Sequence, residues 1–320
     1  MFRLRCPYPP VYSLTFSPDG EFLAGIGRSE VWVWCRSRSW EAAWLYLSGW
    51  AKGVAFHPSG RMLAYAGWPP AVSGRRFRAW EGTVGVSGVR FHAFTPDGAV
   101  EPAVLQTGLE LFSGNFDQGP QLVFSPNGSA LLTYRTILGP WLSAGEPLVV
   151  HWHLTGGAGG FCITDPQPGT TRTVRGAALI GSAAVLVGRF GVLTCPLDPH
   201  EQRSLHIPDL TGASTVACAS TGELVATAGE REISVWHLRT PKRLATVPAE
   251  YPPQPLGFSP DGRVLATGAG DGVTLREAQS GTPGSTLDFG IGRVTSVTFS
   301  PDGLLMAVAG KRGVVIADVD

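Results

Sequence analysis

The chain has 320 residues, 43% of them hydrophobic, with 42 glycines and 26 prolines; 25 Lys+Arg offset 25 Asp+Glu, so the formal net charge is zero. That balance excludes a summed field able to draw in nucleic acid or anionic lipid, leaving only local patches, while the apolar fraction suffices for a substantial core. The longest apolar stretch, GAALIGSAAVLVG at 176–188, is shorter than the ~20 residues of a membrane helix, and the opening MFRLRCPYPPVYSL has no apolar signal segment.

From the N-terminus onward, short strands are punctuated by glycine and proline. VYSLTF (11–16), EFLAGIG (21–27), VWVW (31–34) and AAWLYL (42–47) predict four strands, a to d. Between a and b stands FSPDG, at 16–20. The same five residues return at 258–262 and 299–303, with near-copies at 56–60 (FHPSG), 94–98 (FTPDG) and 124–128 (FSPNG). Anchoring on the first residue of this unit gives Phe16, Phe56, Phe124, Leu179, Cys218, Phe258 and Phe299, Leu179 being a degenerate copy. Eight residues beyond each anchor comes a small or apolar residue: Ala24, Ala64, Leu132, Val187, Ala226, Ala266 and Ala307. Four of the six gaps between anchors lie at 39–41 residues, the period of a four-stranded β-propeller blade. The longer two predict insertions, at about 68–80 and 137–146.

Phe94 is excluded as an eighth anchor. It would leave 30 residues before Phe124, barely room for four strands and their turns, and it would put Pro102 in a central strand. RFHAFTPDGAVEPAVLQTG (90–108) instead predicts the c–d hairpin of the second blade. The last copy ends after strand c at VVIADV (314–319), so FRLRC (2–6) is expected to supply its missing d strand and remove an exposed sheet edge. The expectation is one domain over 1–320: an all-β, seven-bladed propeller of four-stranded antiparallel blades, closed by the N-terminal strand.

The repeated Asp follows from geometry. Pro presets φ for the second position of a type I turn, Asp or Asn accepts the third, and Gly takes the left-handed position that completes the hairpin. The Asp is read as a turn residue and not as a reagent.

The unit VTSVTFSPDGLLMAVAGKRGVVIADVD (294–320) and its sisters resemble the WD-repeat β-propellers, bacterial-style ones in particular, over nearly the whole chain. The repeats are degenerate. The family's closing Trp-Asp survives in part as Trp34-Cys35, Trp152-His153, Trp236-His237 and Ala317-Asp318, and its Gly-His dipeptide is missing. The resemblance therefore implies a chain in which the family's hydrogen-bonded tetrad is mostly absent. It implies a fold and says almost nothing of function.

No nucleophile elbow, phosphate loop, HExxH or EF-hand pattern occurs. HWH at 151–153 puts two imidazoles on one strand face without a third ligand at metal-site spacing. Glu230, Glu232, Asp271 and Asp117 are scattered over different blades. No catalytic residue, metal or cofactor is expected. Five well-separated cysteines without a C-x-x-C read as thiols in a reducing, cytoplasmic compartment.

The b–c and d–a connections share one face of a propeller, opposite the a–b turns. That face collects Trp, Tyr and Arg, the residues that dominate binding hot spots. The candidate partner-binding residues are Trp50, Lys52, Trp68, Arg135, Trp141, Arg189, Phe190, Arg231, Tyr251, Arg293, Lys311 and Arg312. Trp68 and Trp141 read equally well as caps folded over the blade tops. The expected function is a non-catalytic scaffold binding a protein or peptide, with no nucleic-acid or membrane partner. The alternative is a hydrolase or lactonase-like propeller enzyme with its site in the central channel.

Overall fold

In the first repeat, Phe22–Ile26 and Glu30–Cys35 are buried at every residue after the first. A strand covered on one face alternates apolar with polar, whereas one covered on both faces is apolar throughout. This two-sided burial sets the architecture. The computed structural model describes residues 1–6, 9–27, 30–47, 53–60, 62–67, 88–93, 121–125, 128, 130–134, 149–153, 160–163, 174–180, 183–188, 191–196, 205–207, 213–238, 240, 242–249 and 255–319. It is all-β, made of small antiparallel sheets arranged as in a β-propeller. The one helical element among the described residues is a 3-10 turn at Arg36–Arg38.

Among the described residues the strands form seven sheets, each hydrogen-bonded in the order given. Sheet I holds Ser13–Phe16, Phe22–Ile26, Glu30–Cys35 and Glu41–Leu47; sheet II holds Gly53–Phe56, Met62–Gly67 and Gly88–Ala93. Sheet III holds Gln121–Phe124, Ala130–Tyr134, Val149–His153 and Gly160–Ile163; sheet IV holds Val174–Ile180, Ala183–Gly188, Gly191–Pro196 and Leu205–Ile207. Sheet V holds Thr215–Cys218, Leu224–Ala228, Glu232–His237 and Lys242–Pro248; sheet VI holds Leu256–Phe258, Val264–Ala269, Gly272–Glu277 and Pro283–Asp288. Sheet VII holds Val294–Phe299, Leu305–Gly310 and Gly313–Asp318, and its fourth strand is Phe2–Leu4 from the other end of the chain.

That fourth strand pairs antiparallel with the third, Phe2 facing Ile316, Arg3 facing Val315 and Leu4 facing Val314. Leu4 is buried, and Trp34 of sheet I donates its indole N–H to the Arg5 carbonyl at 3.5 Å. The expected strand d of the last repeat is thus the N-terminal segment.

The repeat unit keeps one register. Each anchor pairs with the residue seven further on, as in Phe16 with Leu23, Phe56 with Leu63, Cys218 with Val225 and Phe299 with Met306. Sheet IV differs: Leu179 pairs with Ala184, so this corner is two residues tighter. A two-residue deletion preserves the side-chain faces because the strand period is two. Val185 and Val187 accordingly pack together towards sheet V, with Val225 and Trp236. Gly88–Ala93 is the third strand of sheet II, the place expected for the start of its c–d hairpin; the segment carrying Phe94 lies outside the described residues.

Neighbouring sheets meet through their first strands and share cores. Ser13–Phe16 lies against Gly53–Phe56, and each following first strand lies against the next, through to Val294–Phe299, which lies against Ser13–Phe16. Alternate residues of one strand serve two cores. Leu23, Trp32 and Trp34 pack with Ala307, Ala309, Val314 and Ile316 of sheet VII, while Ala24, Ile26, Val31 and Val33 pack with Val54, Phe56, Leu63 and Tyr65 of sheet II. The same division recurs between sheets V and VI and between VI and VII.

Deleting residues 1–6 removes Leu4 from its core and uncovers the edge of Gly313–Asp318. Burying a leucine is worth roughly 1.5–3 kcal/mol, so thermal denaturation followed by circular dichroism should show the melting temperature falling by about 5 °C or more. An unchanged melting temperature would show that the strand holds nothing together.

Candidate interaction face

The a–b corners form one end of the sheets, and their chemistry is local. In the three SPDG corners the Ser hydroxyl donates to the Asp carboxylate: Ser17 to Asp19, Ser259 to Asp261 and Ser300 to Asp302. The same hydroxyl accepts an N–H at 2.9 Å from Phe22, Val264 and Leu305 respectively. The Asp accepts the N–H two residues on, from Glu21 at 3.0 Å and from Arg263 and Leu304 at 3.1 Å. The corner glycines Gly20, Gly262 and Gly303 stand at φ of 71°, 72° and 75°, the left-handed region that a side chain disfavours. The Ser hydroxyl and one Asp oxygen of each motif are therefore used in the bend. The carboxylates are turn residues.

The corners also touch one another. A Cβ on Gly20 would meet Pro301, one on Gly303 would meet Pro260, one on Gly60 would meet Asp19 and one on Gly128 would meet the His57 ring. Arg36 Nη1 lies 2.9 Å from Asp302 Oδ2, joining sheet I to sheet VII. The Ser300 hydroxyl first, and then the Arg36 guanidinium, hold Asp302 down at about 2. Asp261 is held below its ordinary value mainly by the Ser259 hydroxyl and the Arg263 N–H.

At the opposite end, the b–c turns and d–a connections come together. Val294 donates its N–H to the carbonyl of Gly270, on the b–c turn of sheet VI, at 2.9 Å. On the b–c turn of sheet VII, Arg312 N–H donates to Ile291 O at 2.8 Å and Lys311 N–H donates to Arg293 O at 3.2 Å. Of the twelve candidates, Arg231, Arg293, Lys311 and Arg312 are described, and all four are exposed. The structure gathers three of them at the end of sheet VII and leaves Arg231 on the b–c turn of sheet V. Trp50, Lys52, Trp68, Arg135, Trp141, Arg189, Phe190 and Tyr251 lie outside the described residues, as do the expected insertions at 68–80 and 137–146.

One cation was not read from the sequence as part of this face. Arg3, on the N-terminal strand, reaches the d–a connection, where its Nη2 donates to the carbonyls of Phe289 and Gly290, each at 3.3 Å. Nothing local in MFRLRC signals this, because the contact exists only once the two ends of the chain pair.

His151 and His153 lie on the third strand of sheet III, opposite Leu132 and Ala130. Among the described residues no group of three or more His, Cys, Asp or Glu could hold a metal ion, and no helix is long and apolar enough to cross a membrane. No family model matches the sequence, and no curated protein matches it as a relative.

Asp302 gives the corner network a measurable signature. Its folded-state value lies below the ordinary aspartate value of 3.8, so the charge stabilises the fold above that range and the contribution is lost as pH falls through about 2. Asp302→Asn keeps an oxygen acceptor for Ser300 and Leu304 but loses the charge facing Arg36. In urea unfolding near neutral pH the substitution should cost less than about 1 kcal/mol, the scale of an exposed ion pair. The gap to wild type should close towards about pH 2. A gap independent of pH would mean that the charge is idle.

Proposed function

We propose that the chain is a seven-bladed, closed β-propeller of the WD-repeat type that serves as a non-catalytic interaction platform, binding a protein or peptide on the face made by its b–c and d–a connections. The closed-ring reading is supported by first-strand packing that runs from sheet to sheet and back to Ser13–Phe16, and by the pairing of the two ends of the chain in sheet VII. The degenerate WD-repeat reading is consistent with the indoles: Trp34 donates to a backbone carbonyl, whereas the buried Nε1 atoms of Trp32 and Trp236 have no hydrogen-bond partner.

The observation that carries the functional reading is the contrast between the two ends of the sheets. At the corner end, one oxygen of each recurrent carboxylate is held by its own turn, and Asp302 also faces Arg36. At the other end, exposed cations stand on loops whose backbones are fixed to one another. Arginine on a rigid loop binds with little lost side-chain freedom and offers planar, directional donors. A cytoplasmic setting agrees with the reduced thiols of Cys35 and Cys218.

The test is capture of a partner from the native host by the immobilised chain, followed by mass spectrometry. Arg231→Ala combined with Arg293→Ala should lower retention of the captured partner several-fold, the scale of losing one or two interface anchors. Arg263→Glu, on the corner end, should leave retention unchanged. Equal retention by all three proteins would remove this face from consideration.

A further inference from the structure

We propose that the end of sheet VII is a docking site for an acidic peptide segment of the partner protein. The inference rests on the platform reading above and names the chemistry that one part of the face accepts.

Three stretches far apart in the chain bring cations to one ridge, the d–a connection at 289–293. From the N-terminal strand, Arg3 places its guanidinium against the carbonyls of Phe289 and Gly290. From the b–c turn come Lys311 and Arg312, whose backbone N–H groups bond to the carbonyls of Arg293 and Ile291. Arg293 itself ends the ridge. All four side chains belong to exposed residues. Arg3, Lys311 and Arg312 form no ion pair with a described carboxylate.

The ridge is built to stay in place. Ile291 is fully buried beneath it and Phe289 is buried beside it. Gly310 admits the chain so closely that a Cβ there would stand 2.7 Å from Ile291 O and 2.8 Å from Gly292 O. Gly292 has φ of 68°, and a Cβ on it would lie 3.5 Å from Lys311 Cβ and 3.6 Å from Arg312 Cγ. The absent side chain leaves the stems of Lys311 and Arg312 resting over the backbone of the ridge. Like charges held together on a fixed backbone repel one another, and an acidic ligand relieves that repulsion without first having to order the loops.

Carboxylates are on neighbouring turns as well. Asp288 is occupied in accepting the Gly290 N–H at 2.9 Å, and Asp271 sits on the b–c turn of sheet VI. Among the described residues, Arg3, Lys311 and Arg312 outnumber these two carboxylates, on a chain with no net charge. A neutral chain offers no long-range attraction to a polyanionic duplex. A short run of Asp or Glu, by contrast, matches the reach of a few guanidinium and ammonium groups and can be gripped two-pronged by arginine. Charge complementarity therefore favours an acidic peptide over nucleic acid.

Fluorescence anisotropy with a short labelled oligoglutamate peptide tests the proposal on the full chain. Wild type should bind it, and binding should weaken steeply as salt is raised beyond physiological strength, where the screening length falls below about 8 Å. Lys311→Glu combined with Arg312→Glu should weaken binding about tenfold or more, and the milder Lys311→Ala with Arg312→Ala should weaken it less in the same direction. Arg263→Glu should have no effect. Circular dichroism on each variant should return the wild-type melting curve, since the substituted side chains are exposed. The proposal is overturned by no binding, by equal binding in the double variants, or by preference for duplex DNA of equal charge. A partner captured through Arg231 and Arg293 by a chain that ignores oligoglutamate would leave the platform standing and dismiss the acidic class.

Discussion

Burial of both faces of the inner strands, as in sheets I, V, VI and VII, is the constraint on which the rest of this molecule depends. A four-stranded sheet with one open apolar face would need a second layer of helices or strands. Here the second layer is the next copy of the same sheet. Leu23 and Ala24 are adjacent in sequence, both fully buried, and belong to different cores. Met306 and Ala307 divide in the same way, Met306 towards sheet VI and Ala307 towards sheet I. A volume change at one of these positions is felt by one neighbour and not by the other. Tightly packed interiors leave little slack for relaxation, so each sheet's stability is tied to those on either side. Once the faces are buried, only the loops at the two ends and the outer strands are left to vary, as Pro283–Asp288 shows with its largely exposed residues.

The contacts between sheets VII and I bind parts of the chain that are far apart in sequence. Leu14 N–H donates to the Ser296 hydroxyl at 3.0 Å, and the Thr295 hydroxyl donates to the Val11 carbonyl. Arg36 meets Asp302 at the corner end, and Trp34 reaches the Arg5 carbonyl. Leu4 and Val11 enter the same core as Trp32, Trp34 and Ile316. Pairing chain ends is slow and entropically costly because the intervening loop is almost the whole molecule. A seam held by apolar burial, backbone pairing and several hydrogen bonds offsets that cost better than an exposed ion pair could.

Much of this was legible before any coordinate. The FSPDG corners announced their own geometry, and Ser17, Asp19 and Gly20 do what turn chemistry asks of them. In the degenerate fourth repeat the expected register did not hold, since Leu179 pairs five residues on instead of seven; Val187 keeps only its face. Pairing of Phe2–Leu4 with Gly313–Asp318 was foreseeable from a missing fourth strand. The basic ridge was only half legible. Arg293, Lys311 and Arg312 lie on predicted connections, but their convergence depends on which loops share a sheet end. Arg3 joins them through a pairing of residues more than 300 positions apart. Local sequence carries turn geometry and periodicity well, and carries tertiary juxtaposition hardly at all.

The division of labour between the two ends of the sheets follows from the strand order itself. An a–b corner must reverse the chain tightly next to its neighbours' corners, so its residues are dictated: Ser, Pro, Asp and Gly leave few alternatives, and a side chain on Gly128 would collide with His57 of the preceding sheet. A b–c turn or d–a connection carries no such recurrent motif, and its residues differ from repeat to repeat, from the GERE of sheet V to the GKRG of sheet VII. Repetition marks where geometry rules, and variety marks where the chain is free to take on chemistry. That freedom puts the basic ridge of sheet VII on loops, while the repeated acidic residues at the corners are bonded into their own turns.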